Sequence, residues 1–180
     1  MRKLLKYGRA VAVVTLILVI PLSILFGCNR TVASMARAVK KAYEQGTEEY
    51  GVAYADMKKF ANYGENLAAI GEAYGVSGEN YENALKTLKT DAATPFSSST
   101  AAEDVYAEAS LVYNKLLTET DISEDQTNSA ILYFAEMTSA RKRLANNKAY
   151  NDKAREYNDV LASFPAALLT FGRDSAVIFG

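Results

Sequence analysis

The chain has 180 residues, 20 basic against 21 acidic side chains, and neither histidine nor tryptophan. Without histidine, the commonest metal ligand and the usual general base are both missing. The single cysteine excludes an internal disulfide, so burial of apolar surface must hold the fold together.

The N-terminus reads as a targeting or anchoring segment. Arg2, Lys3, Lys6 and Arg9 precede an uncharged apolar run from Ala10 to Phe26. A basic start followed by an apolar run and a small residue is the pattern of a secretory signal. The run ends Leu25-Phe26-Gly27-Cys28, which resembles a bacterial lipobox. That resemblance implies cleavage after Gly27 and lipid modification of the Cys28 thiol. The alternative is an uncleaved transmembrane helix, for which this run, with Pro21 inside it, is at the short end. The basic flank keeps the N-terminus cytoplasmic in both readings, so residues after Cys28 are expected outside the cytoplasmic membrane. The expected division is a signal peptide or anchor over 1–27 and an extracytoplasmic domain over 29–180. Taking four from the 20 basic residues leaves 16 against 21 acids in that domain, a net charge of about −5. Such a domain repels nucleic acid and anionic headgroups alike, so neither is expected as its main partner.

Thr31 to Glu44 places Val32, Met35 or Ala36, Val39 and Tyr43 at helical spacing, directly beyond Cys28. Gln45 to Gly51 breaks the pattern, and Val52 to Tyr74 resumes it through Met57, Phe60, Leu67 and Ile70. Gly64 and Gly71 lie seven apart inside that helix, on one face. Each costs about 1 kcal/mol against alanine, a cost that the close approach of another helix would offset. Gly75 to Gly78 is a turn, and Glu79 to Thr90 a short amphipathic helix on Tyr81, Ala84, Leu85 and Leu88. Ala92 to Ser99 is a loop. Thr100 with Glu103 gives a capping box before a helix on Val105, Ala109, Val112 and Leu116.

Ser123 with Gln126 starts the longest pattern, which meets no glycine or proline until Pro165. Its apolar stripe keeps one phase through Ala130, Phe134, Met137 and Leu144 and another through Tyr150, Ala154, Tyr157, Leu161 and Phe164, slipping between Ala145 and Ala149. Either the helix bends near Asn146-Asn147, or its two halves face different neighbours. The absence of proline and glycine favours an unbroken rod with two neighbours. Beyond Pro165, the apolar, glycine-punctuated tail is expected to fold back onto the bundle.

Within the second half, Tyr150-Asn151 and Tyr157-Asn158 repeat at seven residues, so the tyrosines form one stripe and the asparagines an adjacent one. The packing interpretation makes the tyrosines core-edge residues whose hydroxyls reach solvent or a partner helix, and the asparagines register-fixing polar residues. The functional one makes a polar groove of Asn151, Asn158 and Arg141. The spacing Arg141, Tyr150-Asn151, Tyr157-Asn158, Phe164-Pro165 resembles the C-terminal signature of the LemA family of bacterial membrane proteins. Asn66-Leu67 to Ala73-Tyr74 is a weaker match to that family's long first helix, which here departs from the pattern by breaking at Gln45-Gly46 and Tyr50-Gly51. The resemblance implies a membrane-tethered, antiparallel, coiled-coil-like bundle of three to four long helices, with no enzymatic activity to carry over.

Phosphate-binding glycine loops and nucleophile-elbow serines are missing from the sequence, and Ser97, Ser98 and Ser99 have no histidine to activate them. The acidic cluster Glu119, Asp121, Glu124 and Asp125 lacks the alternation and glycine of a calcium loop, and fits acids gathered at a helix start. Arg141-Lys142-Arg143 reads as a solvated face paired with Glu136 or other acids. The expectation is therefore an all-α, lipid-anchored, extracytoplasmic interaction or scaffold protein, without catalysis, metal or cofactor, that meets a protein partner or its own copies. The rival is a binding protein for a small polar ligand or peptide at the Tyr-Asn face. An enzyme using tyrosine, lysine or carboxylates alone is a third possibility.

Overall fold

The computed structural model describes residues 2–97, 100–170 and 172–179, with side chains from Val14 onward except Leu168. Ser98 and Ser99 of the expected loop, and Phe171 and Gly180 of the tail, lie outside the described residues. The chain is all-α, and among the described residues the only β pairing is an isolated antiparallel bridge between Phe96 and Ala176. In order the helices are α1 (Arg2–Gln45), α2 (Ala53–Ala73), α3 (Glu79–Asp91), α4 (Ala101–Glu119), α5 (Glu124–Ala145), α6 (Lys148–Ala162) and the single turn α7 (Ala166–Leu169).

Two rods organise the molecule, and each is broken once at the same level. The first is α1 followed by α2, interrupted at 46–52. Gly46 turns there with a φ of +63°, and a Cβ at that position would lie 2.9 Å from the backbone of Tyr50 and Gly51. That conformation and that proximity require glycine. The second rod is α5 followed by α6, running antiparallel to the first. Here the expected unbroken helix is corrected: it stops at Asn146 and restarts at Lys148.

The cause is asparagine rather than proline or glycine. Asn147 leaves the helix with a ψ of 78° and its side chain accepts from the Tyr150 N–H at 3.1 Å, capping α6. The Asn151 amide donates to the last carbonyls of α5, Leu144 and Ala145, both at 3.1 Å. Short polar side chains thus satisfy backbone groups that a continuous helix would have paired internally. The two breaks are joined, because the Asn147 amide also donates to the Gly51 carbonyl at 3.0 Å. Nearby, Arg143 Nε donates to the buried Asp56 carboxylate at 2.7 Å.

The halves do face different neighbours, so the phase change in the stripe was a real signal. Beyond the junction, α5 packs on α2 and α4, with α3 completing that half. On the other side α6 packs on α1, with α7 beside both. The predicted close approach at the glycines is present. A Cβ on Gly64 would meet Leu85, Met137 and Val105 at 3.1–3.4 Å, and one on Gly71 would meet Val112 at 2.6 Å. Ser123 accepts from Gln126 N at 3.4 Å, as its cap predicts. At Thr100 the expected box is replaced: its hydroxyl donates to Asp104, while Glu103 pairs with Arg141.

α1 is long and apolar enough to cross a membrane. Residues 14–26 are exposed along it, while Val32, Val39 and Tyr43 are buried against the domain. One helix therefore carries two environments, an exposed apolar run and a core-facing stripe. A helix lying wholly within a water-soluble core would bury both.

Candidate functional site

The Tyr-Asn face of α6 is covered by the chain's own C-terminal tail. Tyr157 donates its hydroxyl to the Asp174 carbonyl at 3.2 Å, and Tyr150 donates to Val177 at 2.7 Å. Asn158 donates to the Ala176 carbonyl at 2.8 Å and accepts from its N–H at 2.7 Å, as a neighbouring strand would. Asn151 accepts from the Phe179 N–H at 3.0 Å. On the far edge, Val177 N donates to the Pro95 carbonyl at 2.9 Å, beside the Phe96–Ala176 bridge.

The register follows from two rises. Seven helical residues advance about 10.5 Å at 1.5 Å each, and three extended residues advance about 10 Å at 3.3 Å each. Tyr157 to Tyr150 therefore matches Asp174 to Val177, and Asn158 to Asn151 matches Ala176 to Phe179. The heptad spacing that resembled a packing stripe is a ladder for an extended backbone. All of these bonds reach main-chain atoms, so they set the path of the tail rather than reading its side chains.

This corrects the core-edge interpretation of the tyrosines. Tyr150 and Tyr157 are fully or almost fully buried, at 0% and 2% exposure, and their hydroxyls reach neither solvent nor a partner helix. The asparagines fix the tail's register and, at Asn151, the α5–α6 junction. The open polar groove required by the rival reading is filled. Arg141 stands apart from this ladder. It pairs with Glu103 at 2.8 Å and lies 4.6 Å over the Tyr106 ring, so its acid is on α4 rather than at Glu136. Arg143 likewise takes Asp56, and Ser139 at 2.8 Å, leaving Glu136 unused by either arginine.

Arg141 lines a cleft of about 190 Å³ with Phe60, Leu144 and the tail residues Val177 and Phe179. Its Nε is buried without a hydrogen-bond partner. The cleft is lined by the tail and by Thr100, Ala102 and Glu103 at the start of α4. Phe164, expected on the apolar stripe, is 81% exposed, and its peptide bond to Pro165 is cis. Cys28 is half-buried one turn before the buried Val32. Asn147, named from the sequence only as the place of a possible bend, joins the two rods. Its signal was present: an asparagine three residues before Tyr150 is a preferred helix cap.

Burial pushes the Tyr150 and Tyr81 phenols well above their ordinary value, and raises Tyr157 despite the opposing charge of Arg173. Each hydroxyl donates to a carbonyl, a bond that phenolate cannot make. Their folded pKa values exceed the unfolded value of about 10, so their stabilisation is complete below pH 10 and is lost as pH rises through the folded pKa. The melting temperature is expected to be flat in this respect from pH 8 to 9 and to fall above about pH 10. The phenolate absorbance of these tyrosines should appear together with unfolding. Phenolate forming in a still-folded protein at the ordinary tyrosine pKa would contradict their burial.

No protein-family model, curated protein or solved structure matches the chain at a significant level.

Proposed function

We propose that the protein is a membrane-anchored, extracytoplasmic, LemA-like scaffold that presents a helical bundle to a protein partner or to other copies of itself, without catalysis. The observation that carries this reading is the continuity of α1. Its exposed apolar run passes without a linker into the buried positions Val32, Val39 and Tyr43. A flexible tether would let a domain search around its anchor, whereas a continuous helix holds it at a fixed height.

Several features support a presenting role over a receiving one. The Tyr-Asn face is saturated by the tail, and the two asparagines that would have lined a ligand groove are spent on main-chain bonds. The surface left free is the outer half, where Leu111, Leu117, Ile131 and Leu132 are exposed on α4 and α5. Cys28 sits where the apolar run ends, which suits lipid attachment at the membrane surface.

Crosslinking in intact membranes followed by identification of the captured protein tests the role. A distinct partner is expected, recovery of this chain alone would narrow the role to a homo-oligomer, and capture of neither would overturn it. For the anchor, Cys28→Ala is expected to release or mislocalise the chain. Unchanged membrane retention would instead favour a spanning, uncleaved α1.

A further inference from the structure

The antiparallel packing of α6 on α1 fixes how far each α6 residue lies from the membrane. Tyr43 and Tyr150 are level, with their ring centroids 5.5 Å apart. From Tyr43 back to Asn29 is about 21 Å of helix, and from Tyr150 α6 runs about 18 Å to its last residue, Ala162, two residues before Phe164. Phe164 is thus brought near the level of Asn29, just past the end of the exposed apolar run. The chain beyond α7 also reaches this end of the domain, where Arg173 donates to the Asn29 side chain at 2.5 Å.

What lies at that height is unlike the rest of the domain surface. Phe164 is 81% exposed, the highest value among the large apolar side chains of the described residues. It opens a stretch, Phe164 to Gly172, without a charged residue. α7 in this stretch is tied down by the buried Ala166 and packs on α1 and α6, so the turn is held rather than loose. Arg30, next to Asn29, and Arg173, bonded to Asn29, are both exposed. In water this arrangement leaves a large ring unburied. Beside the exit of an apolar helix it matches the interfacial layer, where apolar side chains enter the headgroup–acyl boundary and cations stay at the phosphates.

We propose that the Phe164–Leu169 turn is a second membrane contact, with the Phe164 ring inserted into the bilayer interface beside α1 and Arg30 and Arg173 at the lipid phosphates. The inference rests on α1 or Cys28 being the anchor, and it goes further by fixing the tilt of the bundle. One attachment point permits rotation about it, whereas two attachment points on adjacent helices set which face of the bundle looks along the membrane. Of the domain's acids, Asp159 on α6 and Asp174 beside Arg173 lie nearest the turn in sequence, whereas those of α2 to α5 belong to the half beyond the junction.

The chain contains no tryptophan, so a single introduced one reports only its own position. Phe164→Trp is made in the full chain and reconstituted into phosphatidylcholine–phosphatidylglycerol vesicles containing lipids brominated near the headgroup end of the acyl chain. Leu132→Trp, at a site 54% exposed on the outer half, is the comparison. Both positions are exposed, so neither substitution disturbs the core. The expected result is co-flotation of both variants with the vesicles. Phe164→Trp should show blue-shifted emission and lose about half or more of it to the bromolipid, as for a side chain 5–10 Å deep. Leu132→Trp should keep water-like emission and lose none. A variant that co-floats while its tryptophan at 164 is unquenched overturns the second contact and leaves the anchor standing. If that emission is nonetheless blue-shifted, the ring is covered by protein, a second copy or a partner. Failure of either variant to co-float overturns the anchor, and the second contact with it.

Discussion

Asn151→Ala is expected to destabilise the domain by about 3–4 kcal/mol, a large effect for a polar side chain. Asn151 is 1% exposed and serves three main-chain groups: the carbonyls of Leu144 and Ala145, and the N–H of Phe179. Alanine removes all three bonds and leaves buried groups unsatisfied, each at a cost of about 1–3 kcal/mol when water cannot reach it. Two structures weaken together, the stop of α5 and the end of the tail. Urea denaturation measures the loss, and amide exchange at Phe179 separates its parts. Asn151→Asp isolates the donors. Its carboxylate can still accept from Phe179, but it turns a negative charge toward two carbonyl oxygens. Asn158→Ala is expected to cost less, about 1–3 kcal/mol, because Asn158 is only half-buried and its bonds are confined to Ala176. It should expose the tail to proteolysis while leaving the junction intact. A loss below about 1 kcal/mol for Asn151→Ala would mean that water reaches these groups and that the junction does not depend on them.

Gly71→Ala is expected to destabilise by about 1–2 kcal/mol even though alanine is the better helix former, because overpacking costs about 1–3 kcal/mol and outweighs the propensity gain of about 1. The new Cβ would lie 2.6 Å from Val112 Cγ1 and 3.1 Å from Ser77 Cβ. Val112 is β-branched and held to one rotamer on α4, so the conflict has to move a helix. Gly64→Ala has the same propensity gain and a gentler environment. Its nearest atoms are Leu85 Cδ2 at 3.1 Å and Met137 Cε at 3.3 Å, the ends of flexible side chains. It should be close to neutral, or slightly stabilising. For a chain of this size each 1 kcal/mol corresponds to about 2–4 °C in Tm, so calorimetry resolves the pair. Combining Gly71→Ala with Val112→Ala should recover part of the loss. If Gly71→Ala raised Tm, the close helix approach on that face would be refuted.

The all-α class, most helix boundaries, the membrane-competent N-terminus and the glycine face were legible in the residues themselves. Each is written in local spacing: a period of 3.6 residues, an uncharged run, two small residues on one face. The phase slip near Ala145 was also legible, but its meaning was not. The slip followed from a change of neighbours, and the break from Asn147 and Asn151 competing for backbone groups. Proline and glycine were the wrong residues to look for, since a cap satisfies helix ends as effectively as a kink breaks them. The Tyr-Asn repeat shows the same limit. Its spacing was plain, yet the sequence alone could not say whether the stripes faced a helix, a ligand or an extended strand.

Tertiary structure decided that question through a coincidence of lengths, seven helical residues against three extended ones, which appears only when the tail is laid beside α6. It also decided which acid each arginine takes, because Glu103 and Asp56 come from helices distant in sequence that only packing brings together. Phe164 changed in the same way, from an expected core residue to a bare ring level with the end of the apolar run. Periodicity is a property of one helix and can be read from one segment. The partner of a polar group is a property of two segments, and it is chosen by whichever backbone the fold leaves unsatisfied within reach.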